Sequence, residues 1–180
     1  SYTFSLFYQD YSDFQVSLQD DAGNFFTANA GSATNLGVEA DVRALLGASV
    51  ELFANMAWID AEIDDDASNG TLAGNRFRLQ PEWTASTGLF LDHPLVGDMK
   101  LTGSLVYSWR SEIFFEPENA PIAGLPIEED AYGLLNARIG IANPGQGWEL
   151  SVFASNLLDE EYLVDAGNTG GSFGNPTFVA

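Results

Sequence analysis

The sequence has no cysteine, a single histidine, and only 6 basic residues to set against 26 acidic ones. Without cysteine there is no disulfide framework, no thiol nucleophile and no thiolate metal site. With so few Lys and Arg and a formal net charge of −20, the chain cannot neutralise a phosphate backbone. Nucleic acid is therefore excluded as a partner. The lone His93 sits in a short turn beside Asp92 and Pro94, with no outward serine expected near it, so a Ser–His–Asp hydrolase is not indicated. In so acidic a chain, carboxylate pairs of the glycosidase kind carry no information. The reading is a protein that is not an enzyme. No window approaches 18 consecutive apolar residues, which removes a transmembrane helix but not a membrane crossing made of strands. A disordered composition is missing too, since 46% of the chain is hydrophobic and 13% aromatic.

What the chain does have is period-two alternation over almost its whole length. Tyr2, Phe4, Leu6 and Tyr8 form the first apolar set, and Leu36, Val38, Ala40, Val42 and Ala44 the second. Val50 to Trp58, Trp83 to Leu91, Leu101 to Trp109, Leu135 to Ile141 and Trp148 to Ala154 repeat the pattern. A helix would repeat at 3.6 and mix the two faces, so seven strands are expected. The gaps between them alternate in length. Short turns lie at Leu46-Gly47-Ala48, His93 to Asp98 and Asn143 to Gly147, while long polar stretches run from Gln19 to Asn24, Asp60 to Gln80, Glu112 to Asp130, and onward from Asp159.

Short turns at one end and long loops at the other are the asymmetry of an outer-membrane barrel, with the long loops outside the cell. The apolar face carries no charge, whereas the other carries Glu39, Asp41, Arg43, Glu51, Glu82, Asp92, Lys100, Arg110, Arg138 and Glu149, as a polar, partly ion-paired lumen would. Trp58 and Trp109 fall about ten residues beyond their short turns, a climb of roughly 23 Å for a tilted strand. That places them at the outer interface, with Trp148 at the inner one. Most of the acid lies in or beside the long loops, including Asp64-Asp65-Asp66, Glu128-Glu129-Asp130 and Asp159-Glu160-Glu161. The fold class expected is all-β, an antiparallel up-and-down transmembrane β-barrel, here an incomplete segment of about seven strands in outer-membrane lipid. The alternatives are a passive porin-type barrel and a soluble, secreted β-sandwich that binds glycan or calcium.

Three segments carry a resemblance. Asn29-Ala30-Gly31 through Gly37-Val38-Glu39 resembles the "NAG…GxE" strand of TonB-dependent receptors, and Asn156-Leu157-Leu158-Asp159-Glu160-Glu161-Tyr162 their "NLxDxxY" signature. Between them, Gly74-Asn75-Arg76-Phe77-Arg78-Leu79-Gln80-Pro81-Glu82-Trp83-Thr84 is similar to that family's "GNRLPxxPxxT" loop-to-strand junction. The resemblance implies that residues 1–180 are a C-terminal portion of a receptor barrel, lacking the plug domain and the last strand. It also implies active uptake of a scarce nutrient such as a ferric siderophore, powered by the TonB energy-transducing protein through the missing N-terminal part.

Arg76 and Arg78 in the long loop, with Phe114 and Phe115, are the candidate ligand contacts at the rim, and Phe77 and Phe173 are further loop aromatics. The arginines could meet a ligand carboxylate or neutralise acidic neighbours; neutralisation is the favoured reading. The phenylalanines could touch a ligand or pack the loops together. Asp60, Glu62, Asp64 and Asp66 offer oxygen ligands at every second position, which suits Ca²⁺, although the glycine and glutamate of an EF-hand loop are absent. No other cofactor is expected.

Overall fold

The computed structural model describes residues 1–20, 24–121, 127–167 and 177–179. Strand β1 (Tyr2–Tyr11) is followed by a small hairpin of β2 (Gln15–Gln19) and β3 (Phe25–Asn29), then by β4 (Ala33–Leu46) and β5 (Val50–Ile63). A 3-10 segment, Ala67–Leu72, leads to β6 (Trp83–Pro94) and β7 (Lys100–Arg110). After these come β8 (Ile113–Phe114), β9 (Glu128–Glu129), β10 (Tyr132–Asn143), β11 (Trp148–Ala154), β12 (Asp165–Gly167) and β13 (Thr177–Val179). Seven of them form one sheet in the order β1-β4-β5-β6-β7-β10-β11, every pair antiparallel, with β1 and β11 as its open edges.

Residues opposed across an antiparallel pair share a face, so the register traces each face through the sheet. Phe4, Ala40, Met56, Ala85, Trp109 and Gly133 form one row of the apolar face. Ser5, Glu39, Ala57, Thr84, Arg110 and Tyr132 form a row of the other. A slip of one residue in any strand would exchange these sets, so the alternation itself fixes the register. On the apolar face Trp58 and Trp83 meet at 6.3 Å between ring centroids, and Trp109 follows on the next strand. Above this belt the face changes character. The next two outward positions of β5 are Asp60 and Glu62, opposite Leu36 and Thr34, while inward-facing Ala61 and Ile63 become buried.

The sheet is a single layer. Every buried apolar side chain among the described residues belongs to the loop end: Ala30, Ile63 and Leu72 in one cluster, Ile113, Phe115, Ile127 and Ala166 in another, and Ala33 and Ala61 near the loop ends of β4 and β5. Leu6, Leu150 and Val152 stand 68%, 73% and 73% exposed on the apolar face. A soluble sandwich would bury that face against a second sheet, and the only other sheets among the described residues are three small two-stranded ones. The sandwich alternative is therefore overturned. The seven expected strands are all present. The loops correct the sequence reading in two ways: β5 runs three residues past Asp60, and strands form where none was expected, with β2–β3 flanking the stretch from Gln19 to Asn24 and β8–β9 pairing inside that from Glu112 to Asp130. Pairs of five and two residues are too short to carry a readable period. Phe173 lies outside the described residues.

If the apolar face meets hydrocarbon, Leu105→Arg at mid-strand should cost about 2–4 kcal/mol of stability, whereas Val106→Arg on the other face should cost far less. Denaturant unfolding from lipid vesicles of the receptor that carries this segment measures both.

Candidate functional site

The loop end is built on asparagines. Gly31 has φ +85°, a conformation only glycine adopts cheaply, and a Cβ there would strike the Asn69 amide. Asn29 closes the same turn by accepting from Gly31 N at 2.7 Å, while its own amide donates to Asp13 at 2.9 Å. Asn69, 5% exposed, donates to Asp64 O at 2.6 Å and Ser32 O at 3.3 Å, and its oxygen accepts from Ser32 N at 3.3 Å. It ties the 3-10 segment to the neighbouring ends of β4 and β5. Asn75 and Asn119 perform the same task further along. Asn75 donates to Pro117 O, and Asn119 exchanges hydrogen bonds with the Arg76 backbone at 2.6 and 3.1 Å. These bonds join the loop after β5 to the loop after β7.

Arg76 is mostly buried, with its side chain 19% exposed, 3.1 Å from Glu112 and 3.9 Å from Glu82. Its guanidinium lies 5.4 Å over the Phe114 ring. Arg78 donates to Phe115 O at 3.0 Å and lies 4.0 Å from Asp165. Both arginines thus neutralise acidic neighbours, as the sequence suggested. Phe114 is half-buried under Arg76. Phe115 is a correction: at 0% exposure, packed with Ile113, Ile127, Ala166 and Leu163, it holds loops together and cannot touch a ligand at the rim. Phe77 stacks on Phe14 at 4.6 Å and fastens the β2–β3 hairpin to the loop. Beside it lies a cavity of about 190 Å³ bordered by Val16, Ile63, Arg76 and Arg78.

The polar face carries ion pairs close to the short turns, one per hairpin. They are Arg43–Glu51 at 2.9 Å, Lys100–Asp92 at 3.0 Å and Arg138–Glu149 at 2.7 Å. All are solvent-accessible and each is worth only about 0–1 kcal/mol. At the other end Arg110 lies over Tyr132 at 4.6 Å, and Tyr132 stacks on Tyr162 at 4.4 Å. Reading the sequence missed this stack, because nothing in the spacing of residues 110, 132 and 162 brings them together. Asn156 positions Tyr162. With φ +50°, it accepts from Glu160 N at 3.0 Å and donates to Glu160 O at 2.9 Å.

Residues 1–157 match the family described as TonB dependent receptor-like, beta-barrel. The chain belongs to that family. It is 32% identical over 162 residues to the ferrichrome outer membrane transporter/phage receptor of Escherichia coli (strain K12), covering 87% of this chain and 20% of that protein. The chain thus spans about a fifth of the curated relative it matches. In fold it resembles the ferric yersiniabactin uptake receptor FyuA from Yersinia pestis, with TM-score 0.75, 21% identity, and coverage of 92% of this chain and 23% of that one. It also resembles BauA, the ferric preacinetobactin receptor from Acinetobacter baumannii, with TM-score 0.62, 18% identity, and coverage of 99% and 25%. This TonB-dependent receptor segment is outer-membrane barrel wall, and the motifs that resembled the family are the fasteners of its loop layer.

Two expectations for the receptor segment change with the geometry. Asp60 and Glu62 point outward from β5, Asp64 turns away into the loop, and the Asp66 carboxylate accepts from Ser68 N at 2.8 Å. Among the described residues no three acidic or histidine side chains come together to hold a metal, so the Ca²⁺ ligands read from sequence do not form a site. Near His93 there is a serine after all: Ser49 Oγ lies 2.9 Å from His93 Nδ1. Asp92, however, sits on the opposite face and pairs with Lys100, so the pair lacks the carboxylate a triad needs.

Asn69→Leu keeps the volume but strands Ser32 N, Ser32 O and Asp64 O, and should cost the receptor about 1–3 kcal/mol, read as faster amide exchange at Ser32. Hydrogen bonds from Ser68, first its side chain and then its backbone, hold the Asp66 pKa below the usual carboxylate value. A depressed pKa contributes stability above the ordinary value and loses it as pH falls through the lowered one. Protection of the Ser68 amide, its intrinsic exchange rate at each pH divided by the observed rate, should therefore fall in acid in the native protein and stay flat in Asp66→Asn.

Proposed function

We propose that this segment is wall and outer rim of a receptor that actively takes up a scarce nutrient, most directly a ferric siderophore, across the outer membrane. The observation that carries the reading is the family match over residues 1–157, joined to 32% identity with a ferrichrome transporter. The open edges at β1 and β11 support it, because unpaired strand edges are not tolerated in hydrocarbon. Further strands of the same receptor would pair there and close the wall. The ligand would be captured among the outer loops, with Arg78 and Phe114 the accessible members of the rim and Arg76 its strut. Release inward would draw on the TonB energy-transducing protein, engaged through parts of the receptor outside this segment. No catalytic residue is assigned.

The test is accumulation of radioactive iron by cells that depend on the receptor, supplied as a panel of ferric siderophores. Uptake of one of them, abolished by a protonophore, is expected. Uptake that persists without the proton gradient would mean passive diffusion, and the porin reading would replace this one.

A further inference from the structure

In a chain with 26 carboxylates, five of the six basic side chains have a carboxylate within 4.0 Å: Arg43, Arg76, Arg78, Lys100 and Arg138. Arg110 has none among the described residues. It projects from the polar face of β7, opposite Thr84 on one side and Tyr132 on the other. Its position is next to Trp109 of the outer girdle, so it stands on the lumen wall at the height of the outer interface. Its guanidinium rests on the Tyr132 ring, which Tyr162 backs from behind, and its Nε is buried without a hydrogen-bond partner.

Below Arg110 on this wall Ser86 and Ser108 face each other at 3.3 Å, and the carboxylates that follow it outward on the same face, Glu82 and Glu112, are engaged by Arg76. Glu129 accepts from Leu163 N at 3.0 Å and so serves the loop beyond β11. A cation held partly out of water without a counter-ion is costly, and a partner of opposite charge is what relieves it. We propose that Arg110, set in place by Tyr132, is a contact for an anionic group of the cargo, so that this receptor selects ligands bearing carboxylate or phenolate oxygen over uncharged chelates. This rests on the uptake reading above and adds the charge class of the ligand to it. The acidic rim does not oppose the contact strongly. Its field decays over about 8 Å at physiological salt, and Glu82, Glu112 and Asp165 each have an arginine within 4.0 Å.

The experiment uses the whole receptor carrying this segment, purified in detergent. Two probes of similar size are titrated by fluorescence quenching: a ferric tricatecholate with three negative charges and an uncharged ferric trihydroxamate. Wild type should prefer the anionic probe. Arg110→Gln should lower affinity for it about tenfold to a hundredfold, the range of one charged hydrogen bond, and leave the uncharged probe unmoved. Arg110→Lys should restore part of the preference, and added salt should weaken anionic binding more in wild type than in Arg110→Gln. Equal or better binding of the uncharged probe by wild type overturns the inference, as does binding of neither. A lower melting temperature in Arg110→Gln with the preference intact also overturns it, because the counter-ion would then be a carboxylate of the receptor itself. Energised iron uptake by a receptor without the preference would sink only this inference, whereas a receptor that takes up no iron sinks the earlier reading.

Discussion

The structure depends on backbone pairing in a medium that offers no alternative partner. In hydrocarbon an unpaired N–H or C=O costs several kcal/mol, so a strand can cross only as part of a continuous ladder. The seven long strands satisfy one another from β1 to β11, and among the described residues the packed clusters lie only at the loop end of their sheet. The apolar row from Phe4 through Met56 to Trp109 then needs no protein against it, since lipid serves. What would be an aggregation hazard in water becomes the surface that fits the protein to its membrane.

Where lipid ends, the rules of a soluble protein return. Beyond Trp58 the outward positions become Asp60 and Glu62, and the inward positions Ala61 and Ile63 bury themselves. The two small apolar cores lie in this layer, with the buried Asn69 and the asparagine bonds that brace one loop against the next. Electrostatics divide along the same axis. Exposed ion pairs line the polar face near the short turns, partly buried arginines hold the loops, and Arg110 alone stands on the wall without a carboxylate among the described residues.

The sheet was legible in the sequence because a period of two is written into every crossing strand, and one misread residue would have put a charge into lipid. Trp58 and Trp109 could be placed by counting from the turns, though nothing pointed to Trp83 as the partner of Trp58. The rim was only half legible. That Arg76 and Arg78 would neutralise acids followed from composition, but apart from nearby Glu82 the acids they meet, Glu112 and Asp165, are brought in by other loops. Phe115 was misjudged for the same reason: a phenylalanine in a polar loop looks exposed until the loop folds over it. The four carboxylates read as oxygen ligands are not gathered among the described residues, because alternate carboxylates converge only on a curled loop and Asp60 and Glu62 lie on an extended strand.

The central claim is that one face of this sheet meets lipid and the other a lumen. Single cysteines placed along β7, from Leu105 to Trp109, in an otherwise cysteine-free receptor and spin-labelled in vesicles, test it most directly. Labels at Leu105, Tyr107 and Trp109 should be relaxed by oxygen dissolved in the bilayer, and those at Val106 and Ser108 should not, giving a period of two. Oxygen accessibility that fails to alternate, or that is highest at Val106 and Ser108, would contradict the account.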